Sequence, residues 1–365
     1  MVSVLHVTQP TTGGVARAVA GLVKAQIADG LDVAVASPAG PLPEKLGAVG
    51  GLWQPWESER QPGAGLSAEM KRLGAIVDEC RPDLVHLHSS KAGLVGRLVL
   101  RGRRPTVFQP HAWSFLAAGG KTRMAAIRWE RYATRWTDIT LFCSRREQQD
   151  GEAHGVSGRG RVVLNGVDLR QFSIPDRAER ATARAALGLP QDASVAAIVG
   201  RKSVQKGQDV ALKAWPAVRE AVPSAVLVLM GEGYEDAYDA AAGVLTCAAR
   251  TDVRAAYVAA DVILSPSRWE GLSLSLLEGM ATARSTVATD VAGSVEALIE
   301  GPLPPAGAVV CPEDAEGLAA AVITRFRTPG LMSREGRAAR ERAERHFAEA
   351  RTTGSVHEVY RLLLT

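Results

Sequence analysis

Residues 261–293, DVILSPSRWEGLSLSLLEGMATARSTVATDVAG, carry the pattern from which the fold is read. Residues 261–265 are a short apolar run closed by Ser265-Pro266, as in a buried parallel strand that ends in a turn. A helix is predicted to start near Ser273, whose hydroxyl is placed to cap the first free N–H groups. At about 100° per residue Leu274, Leu276, Leu277, Met280 and Ala281 then share one arc. Glu278 falls at the edge of that arc, and Glu270 precedes the helix by one loop. Two carboxylates with seven residues between them thus converge at the carboxyl end of a strand, where open α/β sheets bind ligands. Taken alone, such a pair is usually a solvated helix-edge residue and a loop charge.

The chain around this stretch has 365 residues, long for one core and sufficient for two domains with a cleft between them. Four cysteines, Cys80, Cys143, Cys247 and Cys311, lie far apart with no C-x-x-C, which points to reduced thiols packed as small hydrophobes. The opening MVSVLHVTQP has no basic n-region, and no apolar run approaches the roughly 20 residues that span a bilayer. A soluble or peripheral cytoplasmic protein is expected. The net charge of +4 leans towards anionic partners such as phosphates, nucleotides or acidic lipid.

The first domain is predicted to begin with a strand at 2–8, the Gly13-Gly14 turn and a helix over 15–29 that buries Val19, Leu22, Val23 and Ile27. Two glycines at a helix start let the backbone come close to an anionic ligand, although such a turn is often plain loop chemistry. A second strand at 31–37 is followed by a Pro- and Gly-rich excursion, 38–65, carrying Trp53 and Trp56. DLVHLH at 83–88 is a strand with His86 and His88 on one face; without a third ligand nearby, a structural role outweighs zinc binding. His111 closes a strand at 105–111. Residues 121–136, KTRMAAIRWERYATRW, form a helix with Trp129, Tyr132 and Trp136 on one arc and Lys121, Arg128, Arg131 and Arg135 on the next. Either the aromatic face packs on the sheet, or the helix is a basic amphipathic surface for lipid or a phosphorylated acceptor. A strand at 138–143, a helix from Arg145 and a strand at 161–164 complete the domain.

In the second domain a helix at 176–187 leads to a strand at 195–199 and the loop GRKSVQKG. Arg201 and Lys206 directly after a parallel strand would clamp a diphosphate by charge-assisted hydrogen bonds. No G-x-x-x-x-G-K-[ST] occurs, and Gly231-Glu232-Gly233 after the strand at 225–230 is too short for a dinucleotide fingerprint. Residues 234–250 are assigned to a base pocket built from backbone groups. A strand at 308–310 and helices from Asp314, Ser333 and Thr353 finish the chain. No Asp-x-Asp pair is present to bridge a metal to a diphosphate.

PSRWEGLSLSLLEGMA with VATDVAGSVEAL resembles the donor-site signature of the retaining two-domain GT-B glycosyltransferases of family 4, whose Glu-x7-Glu follows a strand and Pro-Ser. The Gly13-Gly14 loop, QPHAWSF at 109–115, NGVD at 165–168 and the pair Arg201 and Lys206 also resemble that family. The resemblance covers nearly the whole chain. It implies an α/β architecture of two Rossmann-like doubly wound domains facing across a cleft: 1–170 on the acceptor side, 171–345 binding the donor, and 346–365 a helix crossing back onto the first. It further implies that Glu270 and His111 contact the transferred sugar as the catalytic pair, Arg201 and Lys206 hold the diphosphate, and Glu278 holds the ribose hydroxyls. Gly13, Gly14, Gly271, Leu272 and Ser273 would line the sugar and phosphates. Where the family commonly has Gly and Pro after the helix, this chain has Ala283 and Ser285.

The activity so implied is retaining transfer from a nucleotide-diphosphate sugar, UDP-linked rather than GDP-linked, to a hydroxyl acceptor, with no metal and no cofactor. HSSKAGLVGR at 88–97, with the 121–136 helix, resembles bacterial enzymes that build capsular or exopolysaccharide repeats on lipid carriers. A lipid-linked acceptor and peripheral contact with the inner membrane face follow from that resemblance, and no nucleic-acid partner does. A nucleotide-sugar epimerase of the same fold, a non-catalytic two-lobed sugar binder and a transferase for soluble acceptors remain open alternatives.

Overall fold

The computed structural model describes residues 2–249 and 252–365 and divides into two compact units. One runs to Asn165 and includes Glu349–Thr365; the other is Gly166–Ala348. The first holds a seven-stranded sheet of β1 (Ser3–Thr8), β2 (Asp32–Ser37), β3 (Leu52–Pro55), β4 (Leu84–His88), β5 (Thr106–Gln109), β6 (Ile139–Phe142) and β7 (Gly160–Val162). Its order is β3-β2-β1-β4-β5-β6-β7, with every pairing parallel. The second holds β8 (Ser194–Val199), β9 (Ala225–Met230), β10 (Ala237–Asp239), β11 (Val244–Cys247), β12 (Val262–Ser265), β13 (Ser285–Thr289) and β14 (Gly307–Val310). Its order is β10-β11-β9-β8-β12-β13-β14, parallel except where β10 meets β11.

Parallel strands need helical crossovers, which cover both sheet faces, so the central strands are continuous apolar runs. AVLVLM of β9 is buried at every residue. Helices Gln208–Ala221 and Ala315–Arg327 put Val210, Trp215, Leu318 and Val322 into the core with Leu227 and Leu229. In the first unit the last helix, Glu349–Leu364, inserts Val356, Val359 and Tyr360 among Val4, Leu84, Val107 and Leu141. In each unit strand order reverses at one place, between β1 and β4 and between β8 and β12. Loops leaving the carboxyl ends of those strands splay apart there and leave room for a ligand.

The structure departs from the sequence expectations at several places. The 38–65 excursion contains a helix, Pro41–Gly47, and the edge strand β3, and Trp56 is fully buried with its indole N–H donated to the Glu69 carbonyl at 3.0 Å. Residues 237–247 form the antiparallel β10-β11 hairpin, and Arg250, the last residue assigned to the base pocket, lies outside the described residues. Ser273 stands at the N-cap of helix Leu274–Ala281 with extended backbone, yet its hydroxyl does not cap; it pairs with the Ser275 hydroxyl at 2.9 Å. Helices Pro329–His346 and Glu349–Leu364 each start four residues before the expected Ser333 and Thr353.

Ala283 follows helix Leu274–Ala281 with φ +56°, in the left-handed region where a methyl group is crowded against the backbone. Ser285 donates its hydroxyl to Glu335 and receives Arg325 Nε at 3.0 Å, within a buried Arg325–Glu335 pair of 2.7 Å. A serine there satisfies a charged pair that a proline would leave short of one partner. Ala283→Gly removes the left-handed strain at the cost of a more flexible unfolded chain, and should raise unfolding free energy by about 0.5–1 kcal/mol. Urea denaturation reads this directly, and destabilisation by the glycine would contradict the assignment of strain to Ala283.

Candidate active site

In the second unit the site forms where the loop after β8 meets the loop after β12. Lys206 ends a single 3₁₀ turn, Val204–Lys206, and its ammonium bonds Glu270 Oε1 at 2.6 Å. The Ser267 hydroxyl donates to the same oxygen at 2.8 Å, and Glu270 is only 7% exposed. The predicted diphosphate-binding lysine and the predicted sugar-binding glutamate are thus one ion pair. Glu278, expected at a helix edge, is 3% exposed and accepts a 2.6 Å hydrogen bond from the Tyr257 hydroxyl. Tyr257 is fully buried, edge-on to Phe172. Arg201 is partly exposed, its Nη2 3.4 Å from Gln205 Oε1.

Residues that carry no motif in the sequence hold the two loops together. Gln205 takes the Arg268 amide on its carbonyl at 2.8 Å and donates its side chain to the Trp269 carbonyl at 3.1 Å. Arg268 bonds the Val204 carbonyl at 2.7 Å and both Asp209 oxygens at 2.7 and 2.8 Å, and reaches Glu313. Hydrogen bonding to Asp209 and Glu313 pushes the Arg268 pKa further up, so this staple keeps its charge. Gly207 lies where the loops come closest: φ is +63°, and a Cβ there would stand 1.9 Å from the Pro266 carbonyl oxygen. The Pro266 carbonyl and the cation at Arg268 are backbone and electrostatic partners that only the folded loops reveal.

In the first unit Gly13 and Gly14 are exposed at the start of helix Gly13–Ala28, Gly13 at φ +74°, and no side chain caps that end. Its N–H groups are oriented to receive an anion. His111 and Ala112, just beyond β5, both have positive φ, +54° and +99°. Two adjacent left-handed non-glycine residues are costly and persist only when other contacts over-determine them. Glu147 supplies these contacts, accepting the Ala112 and Cys143 amides at 2.6 Å each, while the Trp113 indole donates to the Glu147 carbonyl at 2.7 Å. Burial pushes the Glu147 carboxyl up to about 7 against the pull of those two amides.

Strand register places His6 of β1 beside His86 of β4, two residues before His88. His6, His86 and His88 bring ring nitrogens within 4.8 Å of one another, so the third histidine that the sequence expectation lacked is His6, eighty positions away in the chain. Five of their six ring nitrogens already have hydrogen-bond partners. His6 Nε2 meets Gln26 Oε1 at 2.8 Å, His6 Nδ1 meets His88 Nε2 at 2.9 Å, His88 Nδ1 meets His111 Nε2 at 3.1 Å, and His86 Nδ1 meets the Tyr360 hydroxyl at 2.7 Å. Only His86 Nε2 lacks a partner. Burial lowers His6 and His111 to about 4 and takes His86 and His88 well below the usual range, so all four rings are neutral at pH 7. His6, His88 and His111 are a hydrogen-bonded run of imidazoles that ends at the partly exposed His111, and His86 lies against His88 with ring centroids 3.9 Å apart.

Two doubly wound units, each with its polar side chains gathered at a switch point, define a GT-B-type protein. Residues 12–171 match the family described as Glycosyltransferase Family 4, and residues 193–327 match Glycosyl transferases group 1. EpsD of Bacillus subtilis (strain 168), a glycosyltransferase by name, is 26% identical over 310 residues, 80% of each chain. The UDP-Gal:alpha-D-GlcNAc-diphosphoundecaprenol alpha-1,3-galactosyltransferase of Escherichia coli is 28% identical over 229 residues, 58% of this chain and 59% of that one. Among solved structures, Anabaena HepE in complex with UDP-glucose superposes with a TM-score of 0.81 at 19% identity, covering 99% of this chain and 100% of its own. The chain belongs to the family 4 glycosyltransferases, and is a nucleotide-sugar-dependent enzyme of polysaccharide or glycolipid biosynthesis.

Gly207→Ala tests how closely the loops after β8 and β12 must approach. The added methyl group cannot clear a backbone carbonyl, so unfolding free energy should fall by at least about 2 kcal/mol. A loss below about 0.5 kcal/mol in urea denaturation would mean that the loops separate without cost.

Proposed function

We propose that the enzyme is a retaining, metal-independent glycosyltransferase that takes a UDP-sugar and glycosylates a hydroxyl of a lipid-linked diphosphate acceptor at a membrane surface. The observation that carries this is the Lys206–Glu270 pair at the switch point of the second unit, together with Glu278 held by Tyr257 in the helix that follows β12. Lys206 and Arg201 are the cations for a diphosphate whose negative charge grows as the glycosidic bond breaks, joined by the N–H groups that start helix Leu274–Ala281 through the Gly271-Leu272-Ser273 turn. In this reading no divalent ion is required, and the sequence has no Asp-x-Asp to bind one. Glu278 accepts ribose hydroxyls, Glu270 orients the hydroxyls of the sugar, and His111 contacts the sugar from the first unit. Both glutamates are committed to protein donors, unlike the facing acid and nucleophile of a glycosidase. Retention rests on the family resemblance. The names of the related proteins, a UDP-glucose complex and a UDP-galactose enzyme with a diphosphoundecaprenol acceptor, support the choice of UDP and of a lipid-linked acceptor.

Helix Gly120–Ala133 supports the membrane part of the reading. Its inner side packs Ala126 and Ile127 on the core, while Met124 and Tyr132 are 53% and 45% exposed beside half-buried Trp129 and Trp136. The Arg135 guanidinium lies 3.9 Å over the Tyr132 ring, and Lys121, Arg123 and Arg128 are exposed. Arg131 is occupied by the His154 carbonyl at 2.6 Å, so it is a poor site for a charge reversal. Aromatic side chains next to exposed cations suit an anionic lipid surface, each cation contributing up to about 1 kcal/mol.

Screening nucleotide sugars for slow hydrolysis tests the donor without an acceptor, and release of free nucleoside diphosphate separates transfer from epimerisation. Glu278→Gln should chiefly weaken nucleotide affinity, whereas Glu270→Gln should lower turnover with nucleotide affinity little changed. Equal loss of nucleotide binding in both variants would refute this division of roles. In co-sedimentation, the protein should bind anionic vesicles at low salt and release them with added salt or with Lys121, Arg128 and Arg135 changed to Glu. Wild-type protein that stays in the supernatant at low salt would point to a soluble acceptor.

A further inference from the structure

We propose that Gln26, His6 and His88 are positioning residues for His111: a one-directional run of hydrogen bonds fixes the His111 ring proton on Nε2 and leaves Nδ1 as an acceptor for a sugar hydroxyl. This rests on the reading of His111 as a donor-sugar contact. The run starts at Gln26, which is fully buried in helix Gly13–Ala28 and presents its carbonyl oxygen to His6 Nε2 at 2.8 Å. A carbonyl oxygen only accepts, so His6 carries its proton on Nε2. A neutral imidazole has one N–H, which leaves His6 Nδ1 bare to accept from His88 Nε2 at 2.9 Å. The same logic bares His88 Nδ1 to accept from His111 Nε2 at 3.1 Å. Every ring is neutral near pH 7, so no member supplies a second proton that would break the sequence.

The far end of the run is weakly occupied. His111 Nδ1 has only the Cys143 sulfur, at 3.5 Å, and burial keeps that thiol protonated, with Glu147 a second acceptor for its single S–H. A thiol is a poor hydrogen-bond donor, and a hydroxyl displaces it at little cost. The backbone under the ring is fixed by the left-handed His111 and Ala112 and the Glu147 carboxylate that accepts the Ala112 amide. Reversing the polarity would require three rings to exchange tautomers and the Gln26 amide to turn over together, so the run is cooperative. Gln26 therefore sets the character of an atom three hydrogen bonds away without touching substrate.

The test uses the full-length protein with 15N-labelled histidine, with long-range 1H–15N correlation showing which ring nitrogen holds each proton. His111 is assigned by its loss in His111→Asn. In the wild type His6, His88 and His111 should all be protonated on Nε2. Gln26→Met keeps the side-chain shape but removes the acceptor; the His111 signal should move to a tautomer mixture and kcat for donor hydrolysis should fall about tenfold, with nucleoside-diphosphate Kd unchanged within about twofold. Gln26→Glu, read at alkaline pH where its carboxylate is ionised and only accepts, should retain the wild-type His111 tautomer. A wild-type His111 protonated on Nδ1, an unmoved His111 signal in Gln26→Met, or stoichiometric zinc in the purified protein would each overturn the relay. Should Gln26→Met fail to fold, the wild-type and Gln26→Glu spectra still decide the polarity. An enzyme inactive on every nucleotide sugar would refute the transferase reading, whereas the ring tautomers, measured without any substrate, decide the relay independently.

Discussion

A parallel strand cannot be joined to its neighbour by a tight turn, and this constraint determines where the chemistry of the chain can sit. Each strand end opens into a loop that must climb to a helix on one face or the other, and only where the strand order reverses do two adjacent loops part. In one unit these are the loops after β1 and β4; in the other, those after β8 and β12. Gly13, His88, Lys206 and Glu270 all lie at or just beyond such strand ends. The two sheets repeat the arrangement with different strands, so a single topological rule places both sets of candidate site residues.

What each unit does with that position differs physically. The second unit gathers full charges, and it pairs them: Lys206 with Glu270, Arg268 with Asp209 and Glu313. Glu270, 7% exposed, is tolerable as a carboxylate only because it is paired, since removing one partner from a buried pair typically costs about 3–5 kcal/mol, whereas the Asp209 and Glu313 partners of Arg268 are about half exposed. Around His111 the first unit gathers neutral imidazoles, and the buried Lys91 of the helix that follows β4 is paired with Glu69. Burial takes the proton off each histidine that would otherwise be charged at mildly acidic pH, and hydrogen bonds then decide where the remaining proton rests.

The parts of this architecture that were legible in the sequence are those with a local signature. Buried strands such as AVLVLM and the cation-bearing loop after β8 are contiguous in the chain, as is the Glu-x7-Glu spacing. The rest depended on partners distant in sequence. Glu278 reads as a helix-edge residue until Tyr257, twenty-one positions earlier, is brought against it. Ser273 has the right residue type and backbone for a cap, but the neighbouring Ser275 hydroxyl competes for its oxygen. The segment around Trp56 looks like a loop by its prolines and glycines, and only the buried Glu69 carbonyl explains why its indole turns inward. His6 had a usable signal: a histidine on the first strand, on the face that parallel pairing sets beside His86. Gln26 had none, since a polar residue on a helix flank is ordinarily exposed.

The ion pair of Lys206 and Glu270 also governs how substitutions in the second unit should be understood. In the structure the ammonium neutralises a carboxylate that is also held by Ser267. In the proposed reading a diphosphate drawn to Lys206 would compete for the same cation, so the charge on Glu270 would become less compensated as the donor binds. The two hydroxyl-bearing partners available to that carboxylate are then Ser267 and the sugar. Glutamate would thus bind sugar hydroxyls more strongly once phosphate has engaged the lysine, and the two contacts would reinforce each other. Replacing Lys206 alone would remove this coupling and strand Glu270 at the same time, whereas neutralising Glu270 would leave the lysine in place for phosphate and alter only the carboxylate's own contacts. On the proposed roles, opposite ends of one hydrogen bond would therefore give variants that differ in kind, the lysine variant affecting both halves of the donor and the glutamate variant chiefly the sugar.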